Sequence, residues 1–100
     1  MQIVAEYDTA GVIIWMAPQL GYHLGANSLM AAGEYFKAFL PFAAGVSFEK
    51  NLIKLLNQQD NFRIMRFDLP SLTGINLHCY HLPTFDPDGN IQSFKIVADI

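Results

Sequence analysis

The chain alternates between two kinds of hydrophobic pattern along its 100 residues. Short apolar runs rich in β-branched and aromatic residues lie near both ends, and such runs are typical of half-buried strands. Between residues 18 and 61 the apolar positions recur at helical spacing instead. The pattern therefore predicts two strands, a run of helices and then three strands. The predicted strands are residues 2–7, 12–16, 62–69, 75–82 and 91–98.

Glycines, prolines and capping residues divide the helical region. They predict short helices over residues 19–24, 27–32 and 34–40, the first ending at Gly25 and the third at Pro41.

The longest helix is predicted over residues 47–59, with Ser47 as its N-cap. Phe48, Leu52, Leu55 and Leu56 recur at helical spacing and form one apolar stripe on it. Short turns between neighbouring strands predict an antiparallel sheet, and the helices must cover one face of that sheet to bury the stripe. We therefore predict an α+β fold in one domain, residues 1–100. It has a five-stranded antiparallel sheet with short helices and one connector helix on one face.

Composition narrows the classes of function. Charged residues make up 15% of the chain, against about 25% in a typical soluble domain. We therefore expect part of the surface to be covered by a partner, by a second copy of the domain or by the rest of a longer protein. A net charge of −3 with six scattered basic residues excludes a nucleic-acid surface. Cys79 is the single cysteine, which rules out an internal disulfide and predicts a reducing compartment. We expect a cytoplasmic location, either as a soluble protein or as the soluble part of a membrane-associated one. The longest apolar run, residues 12–17, is too short to insert into a membrane.

The closing segment, residues 84–100, is the most informative stretch. A strand ends at Phe85, and Asp86, Pro87 and Gly89 occupy positions that suit a type I turn. A second apolar strand then runs to a final Asp-Ile pair. Because both ends of the sequence fall in or beside strands, we expect the domain to be part of a longer protein.

These segments resemble a PAS domain, the sensory module of bacterial kinases, chemoreceptors and cyclases. The resemblance rests on residues 5–13, on the helical middle and on residues 81–100, and it is closest to the PAS domains of chemoreceptors. It departs from the family at Ala17, where relatives often have Asn. It implies a non-catalytic sensor that binds a small molecule in an apolar pocket and relays the signal to a C-terminal effector.

The resemblance also implies where a ligand and a signal would act. The space between helices and sheet is the usual ligand pocket of the family. Asp99 matches the family's aspartate at the junction between the last strand and the helix that follows it, where the signal would be relayed. A homodimer is expected, as for many relatives. Plain core packing is the alternative role of each pocket residue. The candidate ligand-binding residues are Trp15, Tyr35, Phe36, Phe39, Leu52, Leu56, Met65, Phe67, Leu77, Phe94 and Ile96.

Residues 78–81, His-Cys-Tyr-His, are the only cluster of metal-ligand types. His78 points to the opposite strand face from Cys79 and His81, and a zinc site needs about four convergent ligands. We therefore predict no metal site and two surface histidines.

Haem or flavin would require other residues. The family's axial histidine typically lies on or just before the connector helix, but residues 34–59 contain no histidine, and His23 is at an unusual position for that role. Cys79 lies on a late strand, away from where flavin photoreceptor relatives place their reactive cysteine. No cofactor is predicted. No nucleophile elbow or phosphate loop accompanies the serines and histidines, so no enzymatic activity is predicted. A ligand-free dimerisation or relay module, or a haem or flavin redox or gas sensor, remain alternatives to the small-molecule sensor.

Overall fold

The computed structural model describes residues 1–57 and 64–100 as an antiparallel sheet with helices over one face. Five strands of this part of the chain form the main sheet, in the spatial order β2-β1-β7-β6-β3. The predicted α+β fold is confirmed. The strands of the main sheet are β1 (Gln2–Asp8), β2 (Ile13–Met16), β3 (Met65–Arg66), β6 (Cys79–Phe85) and β7 (Ile91–Ala98).

The last strand occupies the centre of the sheet. β7 pairs antiparallel with β1 on one side, where Tyr7 lies opposite Phe94, and with β6 on the other, where His81 lies opposite Ile96. Directly opposed residues share a face. The register therefore brings Tyr7, Phe94, Ile96 and His81 together on the face that the helices cover.

Two turns of the same geometry, each beginning at an aspartate, connect β1 with β2 and β6 with β7. Asp8 Oδ1 accepts the N–H groups of residues 10 and 12 at 2.9 and 3.0 Å, and Asp86 Oδ1 accepts those of residues 88 and 90, both at 2.9 Å. Gly11 and Gly89 close the two turns with φ of 82° and 84°, which glycine adopts without steric cost. The predicted turn at residues 86–89 is thus present and has an exact counterpart at residues 8–11.

The helical layer contains α1 (Pro18–Leu24), two short 3₁₀ turns (Ser28–Met30 and Phe36–Phe39) and α2 (Phe42–Asn57). The predicted N-cap at Ser47 is wrong, because α2 begins five residues earlier and the N–H of Gly45 already bonds to the carbonyl of Pro41. A proline suits a helix start because the first backbone N–H groups need no partner within the helix. The predicted end of this helix, residues 58 and 59, lies outside the described residues.

The chain between β3 and β6 leaves the main sheet. Among the described residues, β4 (Leu69–Pro70) and β5 (Asn76–Leu77) pair only with each other, so the predicted strands 62–69 and 75–82 are each divided in two. Residues 62 and 63 lie outside the described residues. The N–H of Leu72 donates to the carbonyl of His23 at 2.9 Å, which fixes this small hairpin to α1. This contact places the small hairpin against α1 and outside the main sheet.

None of the helices within residues 1–57 and 64–100 is long and apolar enough to cross a membrane.

Amide hydrogen exchange should be slowest in residues 3–7 and 94–98. These segments belong to β1 and β7, which have strands on both sides, whereas β2 and β3 are edge strands. Exchange followed by NMR would check the order, with residues 13–16 as the edge-strand comparison. Faster exchange in 94–98 than in 13–16 would contradict the central position of β7.

Candidate functional site

An aromatic cluster fills the space between α2 and the centre of the sheet. We call it the aromatic core; its members are Tyr7, Phe36, Phe48, Phe67, Phe94 and His81. Phe48 lies at its middle, with ring centroids 5.1 Å from Tyr7, 5.2 Å from Phe36 and 5.7 Å from Phe67. These separations fall in the range in which aromatic rings attract one another. One helical residue therefore joins the sheet to the 3₁₀ turn.

A polar pair lies inside this apolar cluster. The hydroxyl of Tyr7 and Nδ1 of His81 are 2.8 Å apart, and both side chains are fully buried. The other ring nitrogen of His81, Nε2, has no hydrogen-bond partner among the described residues. A buried polar atom without a partner is unfavourable, so this atom is the best candidate for a contact with something not in the chain.

Burial shifts the pKa values of His81 and Tyr7 in the directions that favour their neutral forms. It lowers the pKa of His81 to about 4, although the nearby backbone of Phe67 partly opposes the shift. It also raises the pKa of Tyr7 well above its usual value. Both groups are therefore neutral at pH 7.

Because both groups are neutral, the positions of the Tyr7 hydroxyl proton and of the single ring proton of His81 follow from their hydrogen bond. The Tyr7 hydroxyl must donate to a nearby acceptor, and Nδ1 of His81 is the acceptor within reach. A neutral imidazole that accepts at Nδ1 carries its proton on Nε2. The aromatic core therefore presents one N–H donor, on Nε2, to an acceptor such as a carbonyl or carboxylate oxygen.

Sequence reasoning missed this pair. The prediction of two surface histidines is right for His78, which is exposed, and wrong for His81, which is fully buried. The signal was present in the sequence: Leu77, Cys79 and His81 alternate with exposed or half-buried residues, and the period of two carries His81 to the inner face.

Nine of the eleven candidate ligand-binding residues lie in or against the interior. Phe36, Phe94 and Ile96 are fully buried. Leu52 and Leu77 are also buried. Phe39, Leu56 and Phe67 are partly buried and pack against the core, and Met65 is half-buried opposite His81 in the sheet. Their role in ligand binding stays a prediction.

Trp15 and Tyr35 lie apart from the interior group. Trp15 pairs with Glu6 on the outer face of the sheet and is 38% exposed, because the register of β2 turns it away from the helices. Tyr35 is 52% exposed, with the Lys37 ammonium 5.4 Å from its ring centre.

A small cavity lies beside the aromatic core. It has a volume of ≈ 60 Å³, and Gly11, Tyr35, Phe48 and Leu52 are among its walls. Ligand pockets usually measure about 300–1,000 Å³. To occupy this cavity, a ligand larger than a few water-sized groups requires Phe48 or a neighbour to move.

The exposed polar cluster beside β3 consists of Arg66, Asp68 and His78. Arg66 and His78 approach Asp68 to 3.2 and 3.1 Å, and the Arg66 hydrogen bond is the main reason that the pKa of Asp68 lies below its ordinary value. Within residues 1–57 and 64–100, no group of three or more acidic, His or Cys side chains is arranged to hold a metal ion. Cys79 is buried, which raises the pKa of its thiol to about 12 and keeps it protonated.

Asp99, the candidate relay residue, follows β7 directly. Its side chain is 76% exposed and lies 2.8 Å from the amino group of Met1. Gln2 also donates to the carbonyl of Ile100 at 3.2 Å. The end of the central strand therefore contacts the start of β1.

Comparison with known structures identifies a similar fold. A domain of an HTR-like protein from Haloarcula marismortui superposes with a TM-score of 0.66 and 20% sequence identity, covering 94% of this chain and 91% of that one. No family model matches the chain, and no curated protein matches it. The structural likeness extends over nearly the whole domain and shows the fold.

Proposed function

We propose that this chain is a PAS-type sensory domain. It binds a small molecule in its apolar interior and relays the change to an effector that follows in the same protein. The proposal is supported by the sequence resemblance and by the fold shared with a domain of an HTR-like protein. The observation that carries ligand binding is the unpartnered Nε2 of His81 within the aromatic core.

The ligand would be mainly apolar with one hydrogen-bond acceptor. Its apolar part would contact Phe48 and Phe67, whose rings lie 6.3 and 5.8 Å from that of His81. Its acceptor would accept a hydrogen bond from the N–H at His81 Nε2, for which the described residues provide no partner. Because Phe48 is part of α2, displacing its ring gives a bound molecule a means of moving that helix.

NMR of the His81 ring tests this proposal directly. Native mass spectrometry of freshly purified protein first shows whether a molecule is retained. A molecule bound as proposed should shift the Nε2 signal of His81 while leaving exposed His78 unchanged. A retained molecule that leaves the His81 signal unchanged would exclude this site. Native mass spectrometry of the His81→Leu variant should show a smaller fraction of protein with the molecule bound.

A ligand-free relay module is the second candidate. The observation that favours it is the close packing of the aromatic core, with ring separations of 5.1–5.9 Å among Tyr7 and its three phenylalanine neighbours. Protein of unmodified mass in the native spectrum, from several growth conditions, would support it. Haem and flavin are tested separately by an absorption spectrum of protein expressed with adequate haem supply.

The Asp99→Ala change should weaken signalling more than ligand binding. Asp99 is exposed at the end of the central strand, where its carboxylate can accept N–H groups of a segment that follows. In the full-length protein we expect a several-fold loss of output with unchanged ligand affinity. Asp88→Ala, which removes an exposed turn carboxylate, is the control. Normal output, or affinity lost together with output, would contradict the relay role.

A further inference from the structure

The outer side of α2 carries an apolar stripe that the described residues leave open. Phe42 is 88% exposed, Ile53 59% and Val46 38%. Together with Glu49 they follow the spacing 42, 46, 49 and 53, steps of four, three and four residues. This is the spacing at which a helix contacts a second helix along a seam.

A groove runs beside the stripe. It lies between α2 and the preceding 3₁₀ turn, has a volume of ≈ 400 Å³ and is mostly apolar, with Leu40, Phe42 and Val46 among its walls. Gly45 forms part of its floor. From Phe42 to Ile53 the stripe is ~17 Å long at the rise of an α-helix, so the groove and stripe can contact about three turns of a partner helix.

The charges along this surface are positive on balance. Glu49, the polar position within the stripe, is already paired with Lys37 at 2.6 Å. Lys50 and Lys54 lie one turn apart on α2 and are exposed. The whole chain has a net charge of −3, so the stripe is a basic-edged apolar surface on an acidic domain.

We propose that α2 is a docking surface for an amphipathic helix of a partner protein with acidic residues beside its apolar stripe. The partner's apolar side chains pack against Phe42, Val46 and Ile53, and its carboxylates face Lys50 and Lys54. This inference does not depend on ligand binding in the interior. The surface lies on the opposite side of α2 from Phe48, so a shift of the helix by an interior ligand would reach a docked partner.

Two synthetic peptides of about three heptads test the proposal. Both have leucine at the seam positions; one has glutamate beside the seam and the other lysine. Isothermal titration should give the acidic peptide at least about tenfold higher affinity, and NMR shifts of the labelled domain should follow α2. Equal affinities, no binding of either peptide, or shifts confined to the sheet would overturn the proposal.

Variants of exposed residues separate the apolar and charged contributions. Val46→Glu should weaken binding of the acidic peptide by about tenfold or more, whereas Leu29→Glu, at a side chain 90% exposed elsewhere, should not. Joint replacement of Lys50 and Lys54 by Glu should reverse the preference towards the basic peptide. An unchanged preference would contradict the proposed charge pairing. Sedimentation of the domain alone is the last control: a dimer that Val46→Glu dissociates would assign this surface to a second copy and overturn the proposal.

Discussion

Replacing Phe48 by Ala should lower the free energy of unfolding by about 3–5 kcal/mol, the range for truncating a buried phenylalanine. Phe48 is 1% exposed and contacts rings from β1, β6 and the 3₁₀ turn at residues 36–39. Its loss removes these contacts and leaves a cavity that the sheet cannot close. Urea denaturation followed by circular dichroism measures the change.

Phe42→Ala on the same helix is the matched control. It deletes the same side chain from a position 88% exposed, so the free energy of unfolding should change by less than about 0.5 kcal/mol. Similar losses in the two variants would show that the aromatic core does not hold α2 against the sheet.

Acidification from pH 6.5 to 4 should destabilise the domain by about 3 kcal/mol through His81 alone. Burial lowers the pKa of His81 in the folded protein to about 4, while an unfolded histidine titrates near its ordinary value of ~6.5. Between pH 6.5 and pH 4 the histidine is protonated in the unfolded chain but stays neutral in the folded chain. The free energy of unfolding therefore decreases as the pH is lowered. Below pH 4 both states are protonated and this contribution becomes constant.

The difference between variants isolates this histidine from the carboxylates that titrate in the same range. A double variant, Tyr7→Phe with His81→Leu, removes both partners together and leaves no orphaned hydroxyl. Urea midpoints measured from pH 4 to 7 should decrease less steeply for it than for the parent protein. His78→Gln, at an exposed histidine, should keep the parent slope. Equal slopes in the double variant and the parent would show that His81 is not buried as a neutral ring.

The order of strands and helices could be predicted from the sequence because it depends on local chemistry. The Asp-Pro-Asp-Gly turn at residues 86–89 and the β-branched runs beside it specify a hairpin through backbone preferences alone. The start of α2 was misplaced because two competing start signals stand close together. Pro41 directly precedes the helix, and Ser47, which resembles an N-cap, lies within it.

The candidate site could be predicted only in part. Apolar residues such as Phe36 and Phe94 were assigned to the interior because burial follows hydrophobicity. His81 was not, because its residue type favours the surface and only its position in the alternation places it inside. The prediction for Trp15 was wrong in the opposite sense. A large aromatic side chain predicts burial, but an extra residue in β2 relative to β1 turns Trp15 outward.

The central position of β7 determines when the sheet can form during synthesis. β1 lies between β2 and β7, so a ribosome-bound chain that lacks residues 91–98 has β1 and β6 without the strand that joins them. The pairing of Gln2 with Ala98 closes a loop of nearly the whole chain, and such long-range pairing slows folding. Until β7 emerges, the backbone N–H and C=O groups that pair β1 and β6 with it stay open to other chains. The interval of synthesis before that strand is complete is therefore the period in which this domain is most exposed to aggregation.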